Sequence, residues 1–437
     1  MTFSVENRNV TVVGAARSGV AAARLLVERG ARVTLSDTRS SIDAESLQTL
    51  RASGVRLELG DHHLATFTSA DLVVLSPGVP VDHPSIVAAR EAGVSVIGEV
   101  ELASRWLTGR IVAITGTKGK STTTTLTGRM FTAGGLRALV GGNIGMPLSS
   151  QVADSTPETF HIVEMSSFQL ETIETFHPWI AVLLNLSSDH LDRHGTMEAY
   201  AAAKARIFEN QTEDDFAVIN ADDPQTLALA RSARARKVTF SVEQPLVPLS
   251  AIRLIGRHLV SDVMAAATIA KIAGVPQQAL TQAVESFTGL EHALEPVASI
   301  DGVRFVNDSK ATNVEAATRA IESFEGGVVA IMGGRFKSGD FALLREPLRS
   351  RASQVVAIGE AASMIQQALD GVVPVHLAAT MEDAVRRGFE LAPANGVVLL
   401  APACASFDMF RDYTERGQAF KREVLKLAEQ RKRSPRF

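Results

Sequence analysis

Short runs of β-branched and other apolar residues alternate with glycine-containing turns and helical segments, and this alternation constrains the fold of the chain most strongly. Val10–Val13 is such a run, Gly14 follows it, and Ser18–Arg29 then carries apolar residues at helical spacing. Gly30 ends that helix, and Arg32–Ser36 is the next apolar run. Because strand, glycine turn, helix and strand form the βαβ unit of a parallel sheet, the sequence predicts the α/β class.

The same alternation recurs to the end of the chain. Further strands are predicted at Leu72–Leu75, Ser95–Ile97, Ile111–Thr115, Phe160–Val163, Ile180–Leu184, Phe216–Ile219, Arg304–Val306, Val328–Met332, Val355–Ile358 and Val397–Leu400. Further helices are predicted at Tyr200–Phe208, Val263–Ala273 and Glu415–Arg431. These elements fall into three α/β blocks, which predicts three domains at residues 1–104, 105–291 and 292–437.

Composition excludes several classes of protein. The chain has 437 residues, of which 46% are hydrophobic, and its formal net charge is only −4. Without a global basic field to bind a polyanion, nucleic acid is not expected as a partner. Apolar runs stop far short of the roughly 20 residues that cross a bilayer, so no membrane association is expected. One cysteine, Cys404, and an N-terminus without a secretory signal predict a cytoplasmic protein.

The first glycine turn resembles a nucleotide site that lacks one glycine. Gly14–Gly19 follows a strand and opens a helix, and Asp37 ends the next strand, where an acidic residue could bond a ribose hydroxyl. The second glycine of a dinucleotide fingerprint is replaced by Ala16, which disfavours NAD. A less closely held nucleotide or a purely structural turn remain open. A second turn, Ser76–Pro80, follows the strand at Leu72–Leu75.

The strongest local signal is GTKGKST at residues 116–122, between a predicted strand and a Thr-rich helix. This is a shortened phosphate loop, in which backbone N–H groups and a helix N-terminus bind phosphates. Lys120 would reach the terminal phosphates, and Ser121 or Thr122 would meet Mg²⁺. ATP binding is therefore the prediction, with a ligand-free helix start as the alternative.

Three segments downstream could carry a metal ion or a reacting group. Glu164 ends a strand, where its carboxylate could face Mg²⁺ bound to a nucleotide. DHLDRH at residues 189–194 combines oxygen and imidazole ligands that suit Mg²⁺ or Mn²⁺ better than zinc. Lys204 lies among alanines in YAAAKARIF. Taken alone, each segment could equally be solvent-exposed, and a surface lysine is the ordinary explanation of Lys204.

The third block has three polar segments that follow predicted strands: NDSKATN at residues 307–313, residues 333–341, and PACASFDMF at residues 402–410. The carboxyl ends of parallel strands share one edge of a sheet, so these segments could converge there. Lysines at such an edge, Lys310 and Lys337, suit an anionic substrate. The small apolar neighbours of Cys404 predict a packed thiol and not a nucleophile.

Taken in order, GTKGKST, EMSSFQLE, DHLDRH with YAAAKARIF, NDSKATN and PACASFDMF resemble the Mur ligases of peptidoglycan precursor synthesis, and within them the type that adds D-glutamate. The resemblance covers essentially the whole chain. It implies an N-terminal Rossmann-like domain for a UDP-sugar, a central P-loop ATPase-type domain with a parallel sheet, and a C-terminal Rossmann-like domain for the amino acid. The implied activity is ATP-dependent ligation of D-glutamate to UDP-N-acetylmuramoyl-L-alanine through an acyl phosphate, by a protein expected to be a monomer.

The resemblance also implies roles for individual residues. The UDP-sugar would be bound by Arg17, Ser18, Asp37, Thr38, Arg39, Ser76, Gly78 and Asn143. ATP would be bound by Gly116, Thr117, Lys118, Gly119, Lys120, Ser121, Thr122, Asp262 and Asp308. Two Mg²⁺ ions, or Mn²⁺, would be held by Ser121, Glu164, His190 and a carbamylated Lys204. D-Glutamate would be bound by Lys310, Thr312, Lys337, Ser406, Phe407 and Tyr413. Lys120, Glu164, His190 and Lys204 would form the catalytic set.

Two positions depart from the family pattern. Asp262 stands where the family commonly has an asparagine that contacts adenine, and Ala293 stands where it often has an arginine. An ionised aspartate accepts a hydrogen bond from adenine but cannot donate one as asparagine does. Three other functions stay open: a Mur-type ligase for L-alanine or a diamino acid, a nicotinamide-dependent oxidoreductase, and a non-catalytic nucleotide-binding protein.

Overall fold

A computed structural model of the chain describes residues 3–42, 44–254, 256–336 and 339–433. They form two compact units, Met1–Ile252 with Val260–Ser286, and Arg253–Leu259 with Phe287–Phe437. Within the described residues, the helices are too short or too polar to cross a membrane. The domain boundaries at residues 104/105 and 291/292 stay predictions.

The first sheet of the first unit is parallel and has the strand order β3-β2-β1-β4-β5. Its strands are β1 (Asn9–Val13), β2 (Arg32–Asp37), β3 (Arg56–Leu59), β4 (Leu72–Leu75) and β5 (Ser95–Gly98). The helices of this part are α1 (Arg17–Glu28), α2 (Ala44–Ala52), α3 (Leu64–Thr68), α4 (Pro84–Glu91) and α5 (Glu99–Ser104). Strand β4 is buried along its whole length, as expected of a parallel strand covered on both faces.

The second sheet of the first unit is also parallel, in the order β11-β10-β9-β6-β8-β7. Its strands are β6 (Arg110–Thr115), β7 (Arg137–Gly142), β8 (Thr159–Glu164), β9 (Ile180–Leu183), β10 (Phe216–Asn220) and β11 (Arg236–Phe240). The accompanying helices are α6 (Lys120–Ala133), α7 (Ser167–Leu170), α8 (Leu191–His194), α9 (Met197–Ala205), α10 (Pro224–Leu229), α11 (Arg257–Ile272) and α12 (Gln277–Glu285).

Shared packing joins the two sheets of the first unit. Leu25 of α1 and Val100 of α5 belong to the same buried cluster as Ile111 and Val163 of the second sheet. The Glu101 carboxylate, also on α5, accepts hydrogen bonds from backbone N–H groups of residues 174–176 at 2.8–3.1 Å. The cavity at the first sheet and the phosphate loop at the second are therefore fixed relative to each other.

The second unit contains one mixed sheet in the order β12-β13-β17-β14-β15-β16. Its strands are β12 (Glu295–Ile300), β13 (Val303–Asn307), β14 (Val328–Gly333), β15 (Ala352–Ile358), β16 (Val375–Ala378) and β17 (Val397–Leu400). Its helices are α13 (Val314–Glu322), α14 (Arg345–Arg351), α15 (Ala362–Ala368), α16 (Met381–Leu391) and α17 (Tyr413–Arg433). Buried apolar clusters cover both faces of this sheet.

The structure confirms the α/β class and all the predicted strands, whose ends differ from the prediction by at most three residues. The prediction missed five strands, and all of them lie at sheet edges: β3, β7, β11, β12 and β16. It also missed that β12 pairs antiparallel with β13, which makes the third sheet mixed. The short helical turns at Leu148–Asp154, Arg206–Phe208, Ala230–Ser232, Leu249–Ala251 and Phe341–Leu344 are 3-10 helices.

Candidate functional site

The phosphate loop connects β6 to α6 with the geometry that the sequence predicts. Gly119 caps the 14-residue helix α6 in the left-handed conformation, with φ of +81°. A side chain at Gly119 would also place its Cβ 2.0 Å from Oδ1 of Asp262, so glycine is required twice over. The helix N-terminus and the loop N–H groups provide an anion-binding site.

Side chains from neighbouring loops hold the phosphate loop in place. The Lys118 N–H donates to the side-chain oxygen of Asn185 at 2.9 Å, and the Thr117 N–H donates to the Asn185 carbonyl at 3.0 Å. The Tyr200 hydroxyl donates to Oγ1 of Thr117 at 3.2 Å. Nζ of Lys120 donates to the carbonyls of Gly116 and Thr117 at 3.0 and 2.9 Å. The lysine amine thus lies on the loop itself.

Lys204 is buried and lies against the phosphate loop. Only 1% of the residue is exposed, so the alternative of a surface lysine is wrong. Its Nζ donates to the Gly116 carbonyl at 2.8 Å. Burial, with the nearby charge of Lys120, lowers the pKa of Lys204 to about 6, although Asp189 and Glu164 act in the opposite direction. The amine is therefore largely uncharged at neutral pH.

Glu164 is also buried, which rules out the surface alternative for this residue. It ends β8 with 1% exposure, and its Oε1 accepts a hydrogen bond from the side-chain amide of Asn143 at 2.7 Å. Its other oxygen, Oε2, is buried and has no hydrogen-bond partner among the described residues. A buried carboxylate oxygen without a partner is costly unless a ligand satisfies it.

His190 caps the short helix α8 in the left-handed conformation, with φ of +53°. Its ring lies edge-on to Phe168, with 5.0 Å between ring centroids, and its Nε2 is 4.0 Å from Asp189. Asp189 also pairs with Nζ of Lys118 at 3.4 Å. His190 is therefore exposed, and its loop is connected to the phosphate loop by the ion pair between Asp189 and Lys118.

Asp262, on α11, faces the same loop from the other side. It is 3% exposed, and its Oδ2 is buried without a hydrogen-bond partner in the described part of the chain. Burial raises the pKa of Asp262 to about 8, although the positive charge of Lys120 opposes the shift. The carboxyl group therefore holds a proton at neutral pH and can donate a hydrogen bond as well as accept one.

A cavity of about 530 Å³ opens at the carboxyl ends of β1, β2 and β4, where the UDP-sugar site is predicted. Its lining includes most of the residues predicted for that site: Arg17, Ser18, Asp37, Thr38, Ser76, Gly78 and Asn143. Arg39 does not line the cavity but donates from Nε and Nη2 to the Asp37 carboxylate at 3.0 and 2.8 Å. Asn143 is the lining residue that also contacts Glu164, so the cavity and the phosphate-loop region adjoin.

Asp37 ends β2 beside the first glycine turn, and hydrogen bonds keep its side chain ionised. Burial by itself raises its pKa, but hydrogen bonds from the Arg39 side chain and from the N–H groups of Ala15 and Arg39 lower it to about 2. The Ala15 N–H lies 2.6 Å from Oδ2. The carboxylate therefore orders the turn that lacks the second fingerprint glycine.

Two histidines in the cavity were not predicted. His62 and His83 both line it, with their rings edge-on at 5.1 Å, and His62 contacts the Ser36 hydroxyl at 2.7 Å. Burial, together with His83, lowers the pKa of His62. The signal was hidden because His62 follows β3, an edge strand that the sequence pattern did not reveal.

In the second unit, the residues predicted for D-glutamate lie along the carboxyl edge of the mixed sheet. Lys310 and Thr312 follow β13, Ser406 and Phe407 follow β17, and Tyr413 opens α17. Ser406 is buried, whereas Phe407 and Tyr413 are exposed. Lys337 lies outside the described residues. Cys404 is buried, and burial raises the pKa of its thiol to about 12, which confirms a packed, unreactive cysteine.

Asp308 and the segment around Ala293 are neighbours in the second unit. Burial raises the pKa of Asp308 to about 7, although the Leu294 N–H, which donates to Oδ1 at 3.2 Å, lowers it. His292, beside Ala293, is buried, with its Nδ1 2.8 Å from the Asn307 side-chain amide. Ala293 carries no charge, so the cation that the family often has at this position is absent here.

Comparisons with known proteins agree with this geometry. Residues 8–98, 114–249 and 294–404 match, in turn, the models of the MurD-like N-terminal domain, the Mur ligase middle domain and the Mur ligase glutamate ligase domain. A protein of Acidobacterium capsulatum named UDP-N-acetylmuramoylalanine–D-glutamate ligase is 46% identical, over 97% of each chain. One of Koribacter versatilis with the same name is 44% identical, over 99% of this chain and 100% of the other.

Solved structures share the fold at low sequence identity. MurC of Thermotoga maritima is 19% identical with a TM-score of 0.59, over 96% of this chain and 100% of the other. MurF of the same organism, solved in complex with ADP, is 16% identical with a TM-score of 0.58, over 97% and 96%. The chain resembles the two ligases over nearly its full length and matches three domain models of one family. It therefore belongs to the Mur ligase family.

Proposed function

We propose that the chain ligates D-glutamate to UDP-N-acetylmuramoyl-L-alanine in peptidoglycan precursor synthesis, with conversion of ATP to ADP and phosphate. One observation carries the proposal at the level of geometry. Asn143 lines the cavity of the first unit and donates to Glu164 at 2.7 Å, next to the phosphate loop. A sugar nucleotide in the cavity would therefore end near the γ-phosphate of bound ATP, as carboxylate activation requires.

The residues present fit a divalent cation. Oε2 of Glu164 is buried and unpartnered within the described residues, and a hard oxygen ligand of this kind suits Mg²⁺ or Mn²⁺. Ser121, Glu164 and His190 would hold the metal ions, supported by a carbamylated Lys204. When bound, Mg²⁺ would offset the negative charge of the phosphates as it grows in the transition state.

A carbamate on Lys204 is the second part of this proposal. Addition of CO₂ needs an uncharged amine, and the pKa of Lys204, lowered by burial to about 6, provides one at neutral pH. The new C–N bond takes the lone pair of the neutral amine, and one amine proton leaves to solvent, so that a carboxylate replaces a neutral amine near Glu164. Carbon-13 NMR of the protein in labelled bicarbonate would show the carbamate carbon in the wild type and not in Lys204→Arg.

The chain's own residues carry the two chemical steps. Lys120, which already lies on the loop carbonyls, would turn toward the terminal phosphate while the L-alanyl carboxylate attacks it and ADP leaves. The amine of D-glutamate then adds to the acyl phosphate carbonyl, and the tetrahedral intermediate expels phosphate. We propose that His190 orients or deprotonates that amine. If so, His190→Ala lowers turnover by more than a few-fold.

Phosphate release from ATP is the test of the function. The wild type would be supplied with UDP-N-acetylmuramoyl-L-alanine and Mg²⁺, and D-glutamate would be compared with L-glutamate, L-alanine and meso-diaminopimelate. Release with D-glutamate alone is the expected result. Release with another amino acid would keep the ligase chemistry and overturn the substrate, and no release with any of them would favour a non-catalytic nucleotide-binding protein.

We further propose that the ligase is a cytoplasmic monomer that acts on small molecules. The formal net charge of −4 gives no support to binding of nucleic acid. Light scattering on the purified protein would give a mass near the 46.6 kDa of one chain. A dimer mass would contradict the monomer.

A further inference from the structure

A buried arginine lies at the carboxyl edge of the mixed sheet, outside the residues to which the family resemblance gives a role. Arg416 is on α17 and is only 2% exposed. Its Nε donates to the Ser309 hydroxyl at 3.0 Å and its Nη2 to the Ser309 carbonyl at 2.9 Å. Its Nη1 donates to the carbonyls of Cys404 and Gly333 at 3.0 and 3.4 Å.

These acceptors belong to three different loops. Ser309 follows β13, Gly333 ends β14, and Cys404 follows β17, and the three strands are neighbours in the sheet. Ser309 directly precedes Lys310, and Cys404 lies two residues before Ser406. One side chain therefore connects the loops on which the predicted D-glutamate residues lie.

The same hydrogen bonds reach the start of α17. The Ser309 hydroxyl, which accepts from Arg416, donates to the Tyr413 carbonyl at 2.7 Å. Gly334 leaves the room that the guanidinium needs, because a Cβ there would lie 3.1 Å from Nη1 and 2.2 Å from the Ala405 carbonyl. The loop after β14 thus approaches Arg416 with backbone alone.

Among the described residues, no carboxylate forms an ion pair with Arg416. Burial lowers its pKa to about 10, so the side chain stays cationic at neutral pH, and its hydrogen bonds go to neutral oxygens. Asp408 acts on it from a distance, but one Asp408 oxygen accepts from the Glu360 N–H at 2.9 Å. A buried cation without a paired carboxylate costs folding free energy, and it gives this edge a positive potential that suits an anionic ligand.

We propose that Arg416 is the positioning residue of the amino-acid site: it locks the loops after β13, β14 and β17 together and adds a buried positive charge to that edge. The inference rests on the proposed function, because it takes D-glutamate as the ligand of these loops. A merely structural arginine would affect the whole enzyme, whereas a positioning residue would affect the amino acid selectively.

The test separates the kinetic constants of the three substrates. Arg416→Gln removes the charge, and we expect it to raise the KM for D-glutamate by about 30-fold, the scale of losing hydrogen bonds to a charged group. The KM for UDP-N-acetylmuramoyl-L-alanine should stay within about twofold, because the residues predicted to bind this substrate lie in the first unit. Arg416→Lys keeps the charge and should recover part of the loss.

Two further variants keep the test decisive. Ser309→Ala removes only the hydroxyl between Arg416 and Tyr413, and we expect a rise of about fivefold in the KM for D-glutamate. Arg422→Gln changes an exposed arginine of the same helix, paired with Glu423, and should change none of the constants. If Arg416→Gln does not fold, the KM of Ser309→Ala for D-glutamate decides whether these hydrogen bonds position the amino-acid site.

The possible results have distinct meanings. An unchanged KM for D-glutamate in a folded variant, or an equal rise for D-glutamate and UDP-N-acetylmuramoyl-L-alanine, would overturn the role of Arg416. Failure of the wild type to release phosphate with D-glutamate would overturn the proposed function itself. The two failures are distinguishable because the second requires no substitution.

Discussion

The two ligand regions of the first unit hold their buried aspartates in opposite ways. In the UDP-sugar cavity, Asp37 accepts hydrogen bonds from the Arg39 side chain and from two backbone N–H groups, and its pKa is lowered to about 2. At the phosphate loop, Asp262 has an unpartnered oxygen within the described residues, and its pKa is raised to about 8. One carboxyl group is fully satisfied by the fold, and the other is not.

The difference extends to the neighbours of each aspartate. Around the phosphate loop, Lys204 is buried with a lowered pKa, and Glu164 keeps a buried oxygen without a partner. Such groups are costly in the ligand-free fold, so they indicate where phosphates and metal ions complete the site. The cavity of the first sheet is therefore lined by a carboxylate that the fold already satisfies, whereas the phosphate-loop region keeps polar groups that a charged ligand would satisfy.

The largest expected effect is the loss of turnover when Lys120 is replaced, because the chemical step should depend on the phosphate-loop region and not on the cavity of the first sheet. We expect Lys120→Met to lower kcat by about 10³-fold, since it removes the cation that stabilises the charge of the transferring phosphoryl group. The dissociation constant of the UDP-sugar, measured by calorimetry, should not change. Lys237→Met, at an exposed lysine of β11, is the matched control. A similar loss of UDP-sugar binding would contradict the separation of binding and chemistry between the two regions.

Glu164 tests whether the unpartnered oxygen serves a metal ion. We expect Glu164→Gln to raise the Mg²⁺ concentration for half-maximal activity by roughly 10-fold to 100-fold, because a neutral amide is a weaker ligand than a carboxylate. Magnesium titrations of the rate give this value. Glu158→Gln, at the exposed start of the same strand region, should behave as the wild type. An unchanged magnesium requirement would assign the buried oxygen to another partner.

Asp37 tests the opposite region. We expect Asp37→Asn to raise the KM for the UDP-sugar by about 10-fold, because the amide cannot accept all the hydrogen bonds that the carboxylate receives. The value of kcat should stay within about twofold, since this residue does not touch the phosphate loop. Glu91→Gln removes a charge from the same part of the unit as a control. A fall in kcat with an unchanged KM would contradict the division between binding and chemistry.

The pKa of Asp37 adds a pH test of the same residue. Because its folded pKa is about 2, below the ordinary 3.8, the carboxylate stabilises the fold above pH 4. This contribution disappears as the pH falls through 2. The free energy of unfolding of Asp37→Asn should therefore lie about 1 kcal/mol below that of the wild type at pH 7, and the difference should vanish near pH 2.

The sequence predicted every interior strand but only one of the six edge strands, β5. Interior strands such as β4 and β9 are continuous apolar runs because both faces and both neighbours are protein. Edge strands β3 and β11 instead contain arginine or lysine and exposed positions, which makes their pattern resemble a loop. The antiparallel β12 likewise has a polar, partly exposed sequence.

The candidate site shows the same limit. The order of glycine, lysine and serine at a strand end predicted the phosphate loop, because that conformation is local. Burial of Lys204 could not be read from its alanine neighbours, since it depends on where α9 lies against residues far along the chain. Arg416 gave no signal either, because its acceptors are mostly backbone carbonyls and lie from 12 to 107 residues away in the chain.

The proton of Asp262 affects the stability of the fold and not the chemical step. Because its folded pKa is about 8, above the ordinary 3.8, the folded state holds a proton that the unfolded state has lost between these values. The stability of the wild type therefore falls as the pH rises from 4 to 8. Asp262→Asn has no such proton, so its advantage in unfolding free energy should grow by roughly 6 kcal/mol between pH 4 and pH 8.

Urea unfolding at several pH values measures this difference. Lys204 also titrates in this range, but its contribution cancels because both proteins contain it. A difference that stays constant with pH would mean that Asp262 remains ionised, paired electrostatically with Lys120. Such a pairing would weaken nucleotide binding, because the carboxylate would compete with the phosphates for the lysine. The protonated form would instead leave Lys120 to the phosphates, so the pH dependence of the difference reports on the charge of the nucleotide site as well as on stability.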